Sequence, residues 1–186
     1  MRKPIVISLF DHSTNMVAPW ANAGFLCYCV DGRHPPGEHR EGNIVRVGAD
    51  VREWLPPFAP IAAVFAFPPC THVAVSGARW FQDKGIGWTG APYVIKNPVS
   101  TISSYWRKPD FTFDPCDYGG YLKPPGDAYT KRTCLWTGNG FVMPKMNRVP
   151  PREGSRMHLL APSGNRAALR SVTPKGFAKA AFEANS

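Results

Sequence analysis

The chain of 186 residues has a net charge of +9, from 22 Lys and Arg against 13 Asp and Glu, and 44% of its residues are hydrophobic. This length allows one domain with a substantial core. The sequence holds no apolar run long enough to span a membrane, so we expect no membrane partner. The basic excess is compatible with a polyanionic partner, nucleic acid first, or it serves only to keep the protein soluble.

The cysteines indicate a reducing compartment. They are five in number and scattered, and they form neither a disulfide framework nor a zinc-type CxxC pair. We therefore predict a cytoplasmic protein without a metal site. The apolar stretch at the amino terminus is only about five residues long and no small-residue cleavage site follows it, so a first strand is predicted there instead of a signal peptide.

Short apolar runs predict β-strands over residues 4–10, 25–31, 43–47, 61–67 and 92–98. Helices are predicted over residues 16–24, from within residues 77–85, and over residues 173–185. Gly24 is suited to close the first helix, and the last begins with Thr173 as N-cap and Pro174 at the first helical position. Residues 32–42 are predicted to form a loop.

This alternation of elements predicts an α/β fold with a mostly parallel sheet. From residue 99 to about residue 155 the chain is aromatic, rich in Pro and Gly, and without periodicity. We predict a single domain over residues 1–186. It has a core (1–98), an irregular substrate-side segment (99–155) and a late segment with the final helix (156–186).

The segment FAFPPCTHVAVSGARWF, residues 65–81, ends a predicted strand with two prolines and a cysteine. Pro68 and Pro69 cannot donate ladder hydrogen bonds, so the strand stops there and Cys70 follows at its carboxyl end. That edge of an open α/β sheet is where ligands bind. The position favours a working thiol, and the alternative is a small buried hydrophobic residue.

Two further strands are followed by acids, Asp31 and Asp50. An acid at such a position commonly accepts hydrogen bonds from ribose hydroxyls. The ordered pair suits an adenosine moiety. The alternative interpretation is two solvated loop acids.

Five segments in this order resemble the motifs of the cytosine-C5 DNA methyltransferases: SLFDHSTNMVAPWANAGFLCYCVD, VGADVREW, FPPCTHVAVSGARWF, VIKNP and RSVTPKGFAKAAF. The chain looks like a reduced, phage-type relative of that family. The resemblance implies a Rossmann-like methyltransferase sheet, S-adenosylmethionine as methyl donor, and DNA or a pyrimidine nucleotide as acceptor. It also implies the cytoplasm of a bacterial or phage-infected cell.

The resemblance implies a role for each matched position. Cys70 would attack C6 of a pyrimidine so that C5 becomes nucleophilic, with Lys96 and Asn97 lining the base pocket. The residues implied in cofactor binding are Phe10, Asp11, His12, Asp31, Asp50, Val51 and Pro68. Those implied in substrate binding are Pro69, Ser76, Gly77, Arg79, Arg107 and Lys108.

Three departures from the family pattern stand out. Residues 12–15 replace the glycines of the cofactor turn, and their side chains either crowd the cofactor or substitute their own hydrogen bonds. Lys96 replaces a glutamate that holds the base. An ammonium cannot accept from the cytosine amine, but it can donate to N3 or O2 of cytosine or to O4 of a uracil-type ring, and a desolvated lysine can lose its proton. A surface lysine is the alternative.

The third departure is the lack of a separate target-recognition domain. The segment after the fifth strand interleaves aromatic residues with cations: Tyr105, Trp106, Arg107, Lys108, Tyr118, Tyr121, Lys123, Lys131, Arg132 and Trp136. Such a mixture suits stacking on unpaired bases, including those of single-stranded DNA. It equally suits a loop over a mononucleotide pocket or a structural lobe.

Three hypotheses of function follow from the sequence. The first is a pyrimidine C5-methyltransferase. The second is a catalytically inactive nucleic-acid-binding protein on a methyltransferase scaffold. The third is a pyrimidine-modifying enzyme that uses Cys70 for the same addition but not for methyl transfer.

Overall fold

The computed structural model describes residues 3–68, 90–99, 103, 106–155 and 171–186. In these ranges it has ten strands: β1 (Ile5–Leu9), β2 (Cys27–Val30), β3 (Gly37–Glu41), β4 (Ile44–Gly48), β5 (Ile61–Ala66), β6 (Tyr93–Pro98), β7 (Phe111–Phe113), β8 (Tyr129–Thr130), β9 (Thr133–Gly138) and β10 (Glu153–Ser155). The α-helices that lie wholly within these ranges are α1 (Ala18–Asn22) and α2 (Lys175–Asn185), and two 3-10 turns there span Pro115–Asp117 and Gly119–Tyr121. No helix in the described ranges has the length and apolarity to cross a membrane.

The main sheet has eight strands in the order β3-β4-β2-β1-β5-β6-β9-β7, so the fold is α/β as predicted. The expectation of a mostly parallel sheet is wrong, because the sheet is mixed. The pairs from β4 through β2, β1 and β5 to β6 are parallel, whereas β3 with β4, β6 with β9, and β9 with β7 are antiparallel. β8 and β10 form a separate two-stranded sheet.

The strand β3 corrects the predicted loop over residues 32–42. It pairs with β4 as a hairpin in which Glu41 lies opposite Ile44 and Gly42 has a φ of 58°. All five residues of β3 are exposed. An exposed edge strand needs no apolar face, so hydrophobic periodicity gave no sign of it.

The parallel strands end level with one another. Leu9 at the end of β1 is in register with Val30 of β2 and with Ala66 of β5. The ladders continue one step further, because the Phe10 amide donates to Val30 O at 2.7 Å and the Phe67 amide donates to Leu9 O at 3.0 Å. We call this side of the sheet the carboxyl edge.

Both faces of the sheet are covered. On one face Trp20 of α1, Phe65 of β5 and Phe177 of α2 belong to one buried cluster. On the other face Ile7, Ile95 and Trp136 belong to a second. Val94 lies in the first cluster and Ile95 in the second, so residues alternate between the faces along β6 as a strand requires.

The aromatic residues of the irregular segment serve packing where the structure describes them. Phe113 stacks on Phe177 with ring centroids 4.5 Å apart, and Tyr118 meets both rings edge-on. Tyr118 and Trp136 are fully buried, so neither is available to stack on a nucleic-acid base. Among the aromatic residues predicted to stack on bases, Tyr105 lies outside the described residues.

The start of α2 differs from the prediction. Pro174 occupies the N-cap position, and its cap makes no side-chain hydrogen bond. Asp127 accepts from the Gly176 amide at 2.7 Å instead, so a distant carboxylate satisfies one of the free amides at the helix start. Gly176 is required there, because a Cβ would lie 2.3 Å from Tyr118 O. Thr173, the predicted cap, turns its hydroxyl towards β6.

Candidate functional site

The turn after β1 is held by a buried carboxylate where the sequence lacks glycines. Asp11 is 3% exposed, and it accepts from Ser8 Oγ at 2.8 Å, from Ser13 Oγ at 2.9 Å and from the Thr14 amide at 2.9 Å. Phe10 and Thr14 have φ values of 57° and 58°, a conformation that glycine usually supplies. Ser13 thus makes its hydrogen bond within the turn. Whether residues 12–15 crowd the cofactor or bond to it stays a prediction.

The same turn is tied to two other parts of the chain. Asn15 Nδ2 donates to Thr173 O at 3.1 Å, which joins the turn to the segment before α2. His34 Nε2 lies 3.2 Å from Asp11 O, and its ring lies 4.9 Å from the ring of His12. Burial lowers the pKa of His34, so this ring is neutral near pH 7.

Asp31, the acid predicted to bind ribose, is paired with an arginine two residues later. Arg33 donates from Nε to Oδ1 at 2.9 Å and from Nη2 to Oδ2 at 2.7 Å, and its amide donates to Oδ1 at 2.9 Å. Burial alone would raise the pKa of Asp31. The hydrogen bonds and charge of Arg33 outweigh burial, and the pKa of Asp31 falls below its ordinary value.

Asp50 repeats this arrangement at the end of β4. Arg52 donates to both carboxylate oxygens and its amide donates to Oδ1 at 2.9 Å, and these hydrogen bonds lower the pKa of Asp50 to about 2. Val51 lies between them, half-buried. The turns after β2 and β4 lie against each other, since a Cβ on Gly32 would be 3.9 Å from Ala49 O.

Both arginines are partly exposed. The side chain of Arg33 is 46% exposed and that of Arg52 is 64% exposed. Water and salt screen the surface pair at Asp50. The pair at Asp31 is bidentate on a carboxylate side chain that is 7% exposed, which makes it the stronger of the two.

Lys96 is a buried amine near the end of β6. Its residue is 6% exposed, its Nζ donates to Thr173 Oγ1 at 3.0 Å, and it lies over the ring of Phe67 at 4.7 Å from the centroid. The alternative of a surface lysine is thereby excluded. The pKa of Lys96 is lowered to about 7, mainly by burial and in smaller part by repulsion from Lys131, while attraction to Asp11 opposes both.

The buried amine predicts a specific pH dependence of stability. An unfolded lysine keeps its proton up to a pKa near 10.5, whereas folded Lys96 loses it near 7. Between these pH values the unfolded state binds the extra proton, so the free energy of unfolding rises with pH by up to about 1.4 kcal/mol per pH unit from this group. Urea unfolding of the wild-type protein and of Lys96→Met at pH 7, 8 and 9 measures this contribution.

We expect the stability advantage of Lys96→Met over the wild-type protein to shrink steadily as pH rises. Lys145→Met, which replaces an exposed lysine, is the matched control and should leave the pH profile unchanged. An advantage that stays constant from pH 7 to pH 9 would show that Lys96 is solvated and charged.

Asn97 has a different role from its neighbour. It is 1% exposed, and its Nδ2 donates to Pro68 O at 2.8 Å. Its Oδ1 has no hydrogen-bond partner among the described residues. Successive strand residues point to opposite faces, so Asn97 and Lys96 extend from opposite faces of β6. Asn97 holds the chain at Pro68, two residues before Cys70. The shared base pocket stays a prediction.

The remaining predicted residues divide into two groups. Pro69, Cys70, Ser76, Gly77 and Arg79 lie outside the described residues. Arg107 donates to Thr137 O at 3.0 Å and pairs with Asp110. Thr137 lies opposite Val94, towards the amino end of β6, so Arg107 and the exposed Lys108 lie away from the carboxyl edge.

Sequence reasoning missed three contributors to the site. Arg33 and Arg52 each follow an acid by two residues, and this repeated Asp-x-Arg spacing is the signal that was available. Thr173 was assigned to a helix cap, which is the usual role of a threonine before a Pro. Its contact with Lys96 joins residues 77 positions apart, and no local pattern indicates it.

No protein-family model matches the chain, and no curated protein matches it. The likeness to cytosine-C5 methyltransferases therefore remains a prediction from the sequence motifs.

Proposed function

We propose that the protein is a pyrimidine C5-methyltransferase that uses S-adenosylmethionine, with DNA or a pyrimidine nucleotide as acceptor. One observation supports the proposal: the Asp11 turn, the Asp31 and Asp50 acids, Pro68 and Lys96 lie along the carboxyl edge. Separate motifs of the sequence thus lie on one side of the sheet.

The strand order supports a nucleotide-type ligand at this edge. The five parallel strands lie side by side in the order β4-β2-β1-β5-β6. If these five are numbered by their place in the chain, the order across the sheet is third, second, first, fourth, fifth. A doubly wound Rossmann-like sheet has this order, and it binds its ligand outside the carboxyl ends where the order reverses. Here the reversal falls between β1 and β5.

The described residues fit the cofactor. Asp31 would accept from the ribose hydroxyls after displacing Arg33, and Asp50 with Val51 would border the adenine. Phe10 and His12 would flank the cofactor at the Asp11 turn, whose backbone has the shape that glycines usually give. Bound S-adenosylmethionine would supply the methyl group.

Cys70 would act on the pyrimidine, and Asn97 would help to position it. The Cys70 thiolate adds to C6, which forms a C–S bond and makes C5 nucleophilic. After C5 has taken the methyl group, loss of the C5 proton and expulsion of the thiolate restore the C5=C6 bond. Asn97 is a positioning residue, because its hydrogen bond to Pro68 O holds the chain two residues before Cys70.

Cofactor binding tests this proposal without requiring an acceptor. In calorimetric titration we expect S-adenosylmethionine to bind the wild-type protein and to bind Asp31→Asn about ten- to a hundredfold more weakly, because hydrogen bonds to a charged carboxylate are lost. Asp110→Asn is the matched control, since Asp110 also pairs with an arginine but lies away from the carboxyl edge. Equal affinity for the two variants, or no binding by the wild-type protein, would contradict the proposal.

The inactive nucleic-acid-binding protein is the second candidate. It is favoured by one observation, that arginines already occupy both acids that would hold the cofactor. It predicts DNA binding that weakens steeply with salt and is indifferent to S-adenosylmethionine. Methyl transfer by the protein would exclude it.

A further inference from the structure

We propose that residues 144–152, which we call the basic strap, bind the phosphate backbone of a single-stranded nucleic acid. The inference rests on the proposed function in one respect, because it makes the acceptor a polymer instead of a free nucleotide. It depends on the backbone, the charges and the course of the basic strap, and the structure describes all nine of its residues.

The backbone of the basic strap is fixed, although it belongs to no helix or strand. Its hydrogen bonds run to residues 116–128: Tyr118 Oη donates to Pro144 O at 3.3 Å, Tyr121 Oη to Lys145 O at 2.8 Å, the Asn147 amide to Asp117 O at 2.9 Å, the Gly120 amide to Asn147 O at 3.0 Å, the Val149 amide to Cys116 O at 2.9 Å and the Arg152 amide to Ala128 O at 2.9 Å. Three of its nine residues are prolines, which restrict the backbone further. The basic strap is therefore ordered before a ligand binds, and binding costs it little conformational entropy.

The charges of the basic strap are all positive. Lys145, Arg148 and Arg152 lie three and four residues apart, all three are exposed, and the basic strap contains no acid. An extended chain advances about 3.3 Å per residue, so these cations are spaced by up to about 10 and 13 Å along the chain. A row of separated cations matches a linear polyanion better than a single compact anion.

Two acids beside the basic strap are turned towards the protein interior. Arg148 Nε lies 3.0 Å from Asp117 Oδ1, and Arg132 Nη1 lies 3.4 Å from Asp114 Oδ2. The two arginine side chains are 68% and 62% exposed, whereas their carboxylate partners are only 9% and 21% exposed. Solvent therefore meets guanidinium groups on this side of the protein. The exposed Glu153, directly after the basic strap, is an opposing charge at that end.

The basic strap leads towards the carboxyl edge. Just before it, the Asn185 side chain at the end of α2 accepts from the Val142 amide at 2.8 Å and donates to Val142 O at 2.9 Å. At the other end, Asp127 precedes the residue that anchors the last strap amide, and it accepts from the Gly176 amide in the first turn of α2. The segment before α2 contacts the carboxyl edge. A strand bound along the basic strap is therefore directed to that edge.

The apolar groups of the basic strap favour unpaired bases. Met146 is 49% exposed and lies between two of the cations. The half-buried Tyr121 donates its hydroxyl to Lys145 O, so its ring is adjacent to the same stretch. Apolar and aromatic surface beside cations suits the faces of unpaired bases. A duplex keeps these faces within its own stack, so it would gain only the phosphate contacts.

The test is the fluorescence anisotropy of a labelled strand of about 16 thymidines, titrated with the protein at several salt concentrations without S-adenosylmethionine. The double variant Lys145→Gln with Arg152→Gln removes two cations and leaves the Arg148–Asp117 pair intact. We expect it to bind at least about tenfold more weakly than the wild-type protein at low salt. The slope of log affinity against log salt should fall by about 1.4, since each phosphate contact on a single strand contributes about 0.7.

The double variant Lys3→Gln with Arg40→Gln is the matched control, because it removes the same charge elsewhere. Lys3 precedes β1, Arg40 lies in the edge strand β3, and both are exposed. This variant should retain the wild-type affinity and slope. Equal losses in the two double variants would show that only net charge matters and would overturn the inference. Equal binding of a duplex of the same length, or binding to phosphatidylserine vesicles but not to the strand, would also overturn it.

The failure of the proposed function gives a different result. Strand binding through the basic strap without methyl transfer to any acceptor would refute the proposed function and support the inference. Methyl transfer to a free mononucleotide by a protein that does not bind the strand would support the proposed function and refute the inference.

Discussion

The Cys70→Ala variant is expected to transfer methyl groups at least about a thousandfold more slowly than the wild-type protein, because loss of a covalent nucleophile removes the main catalytic path. Without the thiolate no bond forms at C6, and C5 of the ring stays a poor nucleophile. Binding of S-adenosylmethionine should be unchanged, since all the implied cofactor residues except Pro68 follow other strands. Initial rates with radiolabelled cofactor measure the effect.

Cys27→Ala serves as the control for this variant. Cys27 is the first residue of β2, at the end of that strand opposite the carboxyl edge, and its thiol is protonated near pH 7 because burial raises its pKa to about 12. We expect full activity from it. If Cys70→Ala also kept full activity, the covalent mechanism would be wrong.

The Phe177→Ala variant is expected to lower the free energy of unfolding by about 3–5 kcal/mol, the usual cost of removing a buried aromatic side chain. Phe177 is fully buried, stacks on Phe113 at 4.5 Å and packs edge-on against Tyr118 at 5.3 Å. Its loss would leave a cavity between α2 and the irregular segment. Urea unfolding followed by tryptophan fluorescence measures the change.

Phe58→Ala removes the same side chain from a fully exposed position. It should change the free energy of unfolding by less than about 0.5 kcal/mol, as surface substitutions generally do. A cost for Phe177→Ala no larger than that of Phe58→Ala would mean that α2 does not dock on the sheet. It would also remove the support that α2 gives to Thr173, and with it the environment of Lys96.

The five parallel strands could be predicted from the sequence because each is a short apolar run bounded by Gly, Pro or charged residues. Strand β1 and strand β5, for example, are confirmed to within one or two residues of the predicted bounds. The prediction of a carboxyl edge followed from these strands alone. Once Ile5–Leu9 and Ile61–Ala66 run parallel, the residues after them must meet.

The antiparallel strands could not be predicted in the same way. β3 consists of exposed polar residues, and β9 lies in a segment whose apolar residues show no strict alternation. Their places depend on partners far along the chain: Lys96 in β6 pairs with Leu135 in β9. Non-local pairing of this kind decides whether a sheet is parallel or mixed, and the local hydrophobic periodicity does not indicate which strands pair.

The sequence was enough to identify the candidate residues of the site, but not the groups that contact them in the folded protein. The acids Asp31 and Asp50 were identified from their positions after strands, yet their arginine partners became evident only from the folded turns. Lys96 was identified by alignment with a motif. Its burial against Phe67 and Thr173 depends on the packing of α2 on the sheet. This packing brings Lys96, in the middle of the chain, into contact with Thr173 near its end.

The central claim is tested most directly by methyl transfer from radiolabelled S-adenosylmethionine to a panel of acceptors: duplex DNA, single-stranded DNA, RNA, and uracil and cytosine mononucleotides. The account predicts label in at least one acceptor, located at C5 of a pyrimidine after nuclease digestion. No label in any acceptor, together with no heat of cofactor binding, would contradict the account and leave a nucleic-acid-binding protein on a similar sheet.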